Sequence, residues 1–220
     1  MSFIRRSSDD IAIMLDEIII SIIIIYVLII AHTNSNKYRE DKIMHYTSIY
    51  NSPVGDILLA ADDIGVVGVW FKEEKYYAYC LDKENEPRET PVTKELKRWL
   101  DIYFQGKKPD FEPPIHMIGT PFQIEVWNIL HEIPYGTTIT YREIAKKIAA
   151  RRGLPRMSAQ AVGTAVGKNN INLIVPCHRV VGTNNSLAGY AGGIDKKIYF
   201  LKLEGGYKEQ YFIPKHSTAP

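Results

Sequence analysis

Apolar and polar positions alternate at strand-like spacing over residues 47–71, TSIYNSPVGDILLAADDIGVVGVWF, interrupted by turn signals at SPVG and DDIG. The pattern predicts a hairpin or meander. The period then lengthens. In TKELKRWLDIYFQG, Leu96, Trp99, Leu100 and Tyr103 share one helical face, and Gly106 closes the segment. KKPDFEPPIHMIGTP is rich in proline and reads as a linker. Beyond it the helical period returns: PFQIEVWNILHEIP puts Phe122, Val126, Trp127 and Leu130 on one stripe, ended by Pro134. In GTTITYREIAKKIAARRG, Thr140 followed three residues later by Glu143 has the form of a capping box. MSAQAVGTAVGKNN adds a helix starting near Ser158. Two short helices around a Gly- and Pro-bearing connection make a helix-turn-helix candidate.

The division that follows is an α/β domain over 44–106, a linker over 107–119, a mainly helical domain over 120–206 and a tail over 207–220. Residues 1–43 stand apart. Their run IIISIIIIYVLIIA at 18–31 is short of the roughly 20 apolar residues that span a bilayer, and Asp16 and Glu17 precede it. Extending it upstream through IAIML would bury both acids, and AHTNSNKY is a poor cleavage site for a signal peptide. The favoured reading is a leader outside the working protein, with Met44 as the real start. The alternatives are a membrane or interface anchor and an element packed on the domain.

With 220 residues the chain can bury one sizeable core or two small ones. Two cysteines, Cys80 and Cys177, are too few for a disulfide framework and point to reduced thiols in the cytoplasm. Charge is uneven. Residues 120–204 carry 11 Lys/Arg against 5 Asp/Glu, whereas residues 1–119 carry 14 against 19. A basic second half suits a polyanionic partner. The helix beginning at Ser158 has a surface of small residues, Ala159, Ala161, Gly163, Thr164, Ala165 and Gly167, with little side chain to read a major groove. Its pattern alone favours close helix–helix packing; the alternative is backbone approach to a minor groove.

Cys80, in YYAYCLDKE, reads as a small core hydrophobe. Cys177, in IVPCHRVVG, does not. Pro176 fixes the approach of the chain, and His178 and Arg179 put proton-accepting or cationic groups next to a thiol whose reactive form is the thiolate. On an extended strand Cys177 and His178 would point to opposite sides, so a turn or a water would have to bridge them.

The stretch 169–205, NNINLIVPCHRVVGTNNSLAGYAGGIDKKIYFLKLEG, resembles the signature region of the O6-alkylguanine-DNA alkyltransferases. The resemblance extends over Met44–Gly205 and includes, in order, GTPFQIEVWNILHEIPYGTTITYREIA, SAQAVGTAVGKNN, PCHRV and GYAGG. It implies a ribonuclease-H-like α/β scaffold followed by a mainly α, winged-helix-like helix-turn-helix domain. The implied activity is transfer of an alkyl group from guanine O6, and potentially thymine O4, in double-stranded DNA to the protein's own cysteine, once per molecule and without a cofactor.

Carried over residue by residue, the resemblance makes Cys177 the acceptor, His178 the base acting through a water, and Glu204 the group that orients it. Seen alone, Glu204 would be a surface helix residue. Tyr141 becomes the proton donor to the leaving guanine, and Asn169 the brace of the turn before the cysteine. Carbonyls at Cys177 and Val180 would accept the guanine amine, while Tyr190, Ala191 and Gly192 would close the base pocket. Reaching the base requires flipping it out of the duplex, which turns the small-residue helix into a minor-groove element. Ser158, Ala159, Gln160, Gly163 and Thr183 are its expected DNA contacts.

Two departures stand out. Gln160 replaces the arginine that many members insert into the helical gap, which implies weaker, less salt-dependent binding. Asn170 stands where proline is common, which implies a looser turn. Cys80, His45 and His116 lack the zinc-ligand spacing of some relatives, so no metal is expected. Three rivals are discriminated by sequence or by turnover. A binding-only relative would carry another residue, usually tryptophan, in place of the cysteine; a plain helix-turn-helix regulator would not need PCHRV; a cysteine hydrolase would turn over. A monomer is expected.

Overall fold

The computed structural model describes residues 19–28, 43–187 and 189–214. Residues 1–43 and 44–220 form separate compact units. In the first, residues 19–28 are helical, with isoleucines more than half exposed. No helix among the described residues is long and apolar enough to cross a membrane. The rest of the extension and residues 215–220 of the tail lie outside the described residues, as do the leader and anchor expectations that depend on them.

In the second unit the alternating segment forms β1 (His45–Ser52), β2 (Gly55–Ala61) and β3 (Val66–Phe71), an antiparallel meander. The short β4 (Asn85–Pro87) adds parallel to β1, giving the order β3-β2-β1-β4. The two-residue period sorts side chains by face. Ile57, Leu59, Val69 and Phe71 enter the main core, while Ala60 and Trp70 face the other way into a second cluster, joined by Val67 where the β2–β3 register shifts; half-buried Cys80 packs against it. Gly68 is required here, because the Trp70 indole occupies the place of its missing Cβ.

Four helices follow the expected periods, and a fifth lies downstream: α1 (Pro91–Tyr103), α2 (Pro121–His131), α3 (Tyr141–Arg151), α4 (Ala159–Gly167) and α5 (Ile194–Leu203). Leu96, Trp99, Leu100 and Tyr103 of α1 are all buried. On α2, Val126, Trp127 and Leu130 are buried with Ile129, while Phe122 is half-buried. The Thr140–Glu143 capping box is present, and Thr90–Thr93 and Thr120–Gln123 form two more, each with proline at the first helical position. Gly153, at φ 64°, ends α3, and its neighbour Leu154 donates back to Ala149 O at 2.8 Å. One face of α4 (Val162, Ala165, Val166) is buried, and Trp127 Nε1 donates to Ala165 O at 2.8 Å. Close packing thus takes one side of this helix and leaves the other exposed.

The free edge of β3 organises the second half of the chain. Part of the proline-rich stretch pairs with it: Val66 N donates to Pro114 O at 2.7 Å and His116 N to Val66 O at 2.8 Å. The segment leading to the cysteine pairs further along, through Val69 N to Asn170 O at 2.8 Å and Asn172 N to Val69 O at 3.2 Å. Asn170 is not a loosening element. It is fully buried, and its amide donates to Ile118 O at 2.8 Å. A single core runs through both halves, joining Leu59 and Leu100 to Val126, Ile144, Val162 and Phe200.

Candidate functional site

Cys177 does not lie on an extended strand. Pro176, at φ −83° and ψ 68°, is the centre of an inverse γ-turn closed by Cys177 N to Val175 O at 2.9 Å. Cys177–Arg179 then make one 3₁₀ turn. Upstream, Leu173 holds φ 73°, with Ile174 N donating to Asn172 O across it. A branched side chain in the left-handed region is strained, and burial of Leu173 in the core holds it there. Asn169 braces the bend: Nδ2 donates to Val175 O at 2.7 Å and to Cys177 Sγ at 3.2 Å, while Oδ1 accepts from Ile171 N at 3.1 Å.

His178 is fully buried and lies 2.7 Å from Glu204 Oε1 through Nε2. Glu204 is the C-cap of α5 and is buried, not the surface residue its local pattern suggests. Tyr103 donates to Oε1 at 2.7 Å, Arg179 Nε to Oε2 at 2.8 Å, Arg179 Nη2 to Oε1 at 2.9 Å and Gly136 N to Oε2 at 3.2 Å. Burial opposes ionisation of this carboxyl. Hydrogen bonds from His178 and Arg179, together with the Arg179 charge, overcome it and hold Glu204 well below the usual carboxylate range.

An ionised carboxylate only accepts, so Nε2 of His178 carries the hydrogen. Nδ1 is left with a lone pair and has no hydrogen-bond partner among the described residues. Burial lowers the imidazole's pKa against the pull of Glu204, which favours the neutral ring. Arg179 is not beside the thiol: its guanidinium grips Glu204 and donates to Ile133 O at 2.6 Å.

Burial pushes the Cys177 thiol up to about 11. The resting nucleophile is therefore the thiol, not the thiolate, at neutral pH. Sulfur lines a small pocket with Tyr141, Gly163, Asn169, Asn172, Tyr190 and Ala191. Parallel pairing of β5 (Ile139–Thr140) with β6 (Val180–Val181) ties the start of α3 to the strand leaving the cysteine turn, and so brings Tyr141 into this pocket. Its hydroxyl lies 3.4 Å from Gly189 O. Burial, then the charge available at Cys177, raises the phenol above its ordinary value. Val180 is fully buried and outside the lining. A Cβ at Gly192 would lie 2.9 Å from the Tyr190 ring, so this glycine allows the loop to pack on itself. Ser158, Ala159, Gln160 and Thr183 are exposed.

Four residues of this environment carry no sequence signal. Tyr103 reads as core, yet its hydroxyl serves Glu204. Lys197 is fully buried, and burial draws it down to about 8 against the negative charge available at Cys177. Asn172 accepts from Cys177 Sγ at 3.3 Å and donates to buried Glu74. Among the described residues no three His, Cys, Asp or Glu side chains gather as metal ligands. Cys80 is pushed up to about 11 by burial, as befits an inert thiol.

Two family models match: the 6-O-methylguanine DNA methyltransferase ribonuclease-like domain over residues 44–117, and the DNA binding domain of the same family over 121–206. A methylated-DNA–protein-cysteine methyltransferase of Methanosarcina acetivorans is 47% identical over 160 residues, covering 73% of this chain and 98% of that one. The constitutive enzyme of Bacillus subtilis is 35% identical over 170 residues, covering 76% and 100%. The crystal structure of Mycobacterium tuberculosis OGT in complex with DNA aligns with a TM-score of 0.63 at 35% identity, covering 74% of this chain and 93% of that chain. With both domain models matched in order and nearly the whole length of these relatives covered, the chain belongs to the O6-methylguanine-DNA methyltransferase family.

Proposed function

We propose that this protein repairs O6-alkylguanine in double-stranded DNA by taking the alkyl group onto Cys177. The observation that carries the reading is a cysteine at the wall of a pocket, backed by a buried His–Glu pair whose free ring nitrogen is a base. A thiol so rarely ionised at rest needs a base as the reaction proceeds. His178 Nδ1 takes the thiol proton through an intervening water, and Glu204 stabilises the imidazolium that forms. Sulfur attacks the alkyl carbon, a C–S bond forms, and the C–O6 bond breaks with its electron pair passing to guanine. Tyr141 delivers a proton to the base, so guanine leaves neutral. The phenol recovers its proton from the imidazolium through solvent. The thioether has no leaving path, so each molecule acts once.

The base enters by flipping. The exposed side of α4, with Ser158, Ala159 and Gln160, lies in the minor groove, and Gln160 fills the space the base vacates. Tyr190, Ala191 and Gly192 close the loop over the flipped base, and the carbonyls of Cys177 and Val180 accept its amine. Thr183 contacts the backbone. The protein works as a cytoplasmic monomer.

Incubation with a duplex containing O6-methylguanine, followed by intact and peptide mass measurement, tests the reading. One methyl on the Cys177 peptide, at one equivalent per protein, is expected. Repeated turnover, or repair undiminished in Cys177→Ala, would overturn it.

A further inference from the structure

Two asparagines hold the Cys177 sulfur. Its S–H donates to Asn172 Oδ1 at 3.3 Å, while Asn169 Nδ2 donates to the sulfur at 3.2 Å. A thiol has one hydrogen, and these contacts fix where it points. The orientation of Asn172 is dictated from the first half of the chain. Its amide nitrogen donates to Val69 O at 2.9 Å and to both oxygens of Glu74, at 3.0 and 3.3 Å. With acceptors on that side, the amide oxygen has to face the sulfur, where it also lies 3.5 Å from the Tyr190 hydroxyl. Glu74 follows β3 in a stretch whose neighbours Glu73 and Lys75 are exposed, yet it is only 6% exposed itself. Its Oε2 also accepts from Phe71 N at 3.0 Å. A carboxyl turned inward from an otherwise solvated turn is costly to bury.

Resting on the reading of Cys177 as the alkyl acceptor, we propose that Glu74 and Asn172 are positioning residues that keep the resting nucleophile a thiol. Glu74 locks the Asn172 amide, and Asn172 holds the hydrogen on sulfur. An amide oxygen accepts from S–H but opposes the lone pairs of a thiolate, so this arrangement favours the neutral form. Tyr190, on the pocket loop, competes for the same oxygen, which couples the loop to the state of the thiol.

The ionisable groups facing the sulfur are Glu74 after β3, Lys197 on α5, Tyr141 on α3 and Tyr190 on the loop; His178 follows it in the chain, and Lys196 faces Glu74. Burial pushes Glu74 up to about 8, so its charge opposes thiolate formation most strongly in alkaline solution. The test is the rate of Cys177 alkylation by iodoacetamide in the full chain without DNA. It is read by peptide mass from about pH 6.5 to about pH 9.5, with Cys80 as the internal reference. Glu74→Gln should run ahead of wild type by about tenfold at the alkaline end, with a smaller lead near neutrality. Asn172→Ala should raise the Cys177 rate relative to Cys80, and the nearly isosteric Asn172→Asp should lower it.

Opposite signs for the two Asn172 variants are not what loosened packing produces. Parallel profiles for Glu74→Gln, equal signs for the Asn172 pair, or a matching rise at Cys80 would overturn the proposal. Iodoacetamide brings its own leaving group. A protein that failed to take a methyl from DNA would therefore refute the repair reading and leave this result standing.

Discussion

Glu204→Gln probes the buried hub most directly. The carboxylate accepts from Tyr103, Gly136, His178 and Arg179 and is 6% exposed. Glutamine keeps one accepting oxygen but turns an N–H₂ group toward donors, and it leaves the Arg179 charge buried without its counter-ion. Removing one member of a buried pair costs about 3–5 kcal/mol, a large share of the roughly 5–15 kcal/mol that holds a domain together. At about 2–4 °C per kcal/mol for a domain of this size, melting should fall by about 10 °C. The effect also has a pH signature. The folded-state pKa of Glu204 is depressed, so its stabilisation is present above the unfolded carboxyl value of about 4.3 and is lost as pH falls below it. The gap in melting temperature between wild type and variant should therefore narrow below about pH 4.3. Without the carboxylate to fix the Nε2–H tautomer and stabilise the imidazolium, single-turnover methyl transfer should slow about 10²-fold. Thermal melts across pH and quenched single-turnover assays on methylated duplex measure both. A variant that melts with wild type and transfers methyl at an undiminished rate would refute the reasoning.

Tyr141→Phe should slow single-turnover transfer by about 10²-fold or more and leave duplex affinity unchanged. Because burial and the neighbouring sulfur raise this phenol, the wild-type rate should show no alkaline loss assignable to it; equal loss of binding and rate would remove its role as proton donor. Gln160→Arg, at an exposed position, should tighten duplex binding and steepen the salt dependence by about one counterion. Unchanged affinity and slope in a salt titration would place residue 160 outside the DNA contact.

Local periodicity made the meander and the four main helices legible, because burial on one face leaves its period in the sequence. The buried stripe of α1 is the one that Leu96, Trp99, Leu100 and Tyr103 predict. Thr120 and Gln123 form a capping box that the spelling TPFQ already contains, so that signal was available. The role of β3's free edge had no local signature, since its partners come from residues 114–116 and 170–172. The motif PCHRV marked the nucleophile, but the γ-turn and 3₁₀ turn that present it are backbone facts that adjacent residue types do not spell. Glu204 looked like an exposed helix polar and Arg179 like a cation beside the thiol; their burial together follows only from the way α5 closes on the cysteine turn. Glu74 and Asn172 lie far apart in sequence, and nothing in FKEEK or NNINL announces that they meet.

The pairing of residues 170–172 with β3 bears on the order in which the chain is made. A ribosome releases the meander long before the acceptor segment, so the free edge of β3 can be waiting as a template when Cys177 emerges. A fragment starting at the proline-rich stretch would be born without that template. It would carry every residue of the PCHRV motif and still have nothing to set the register of the segment that leads to the sulfur.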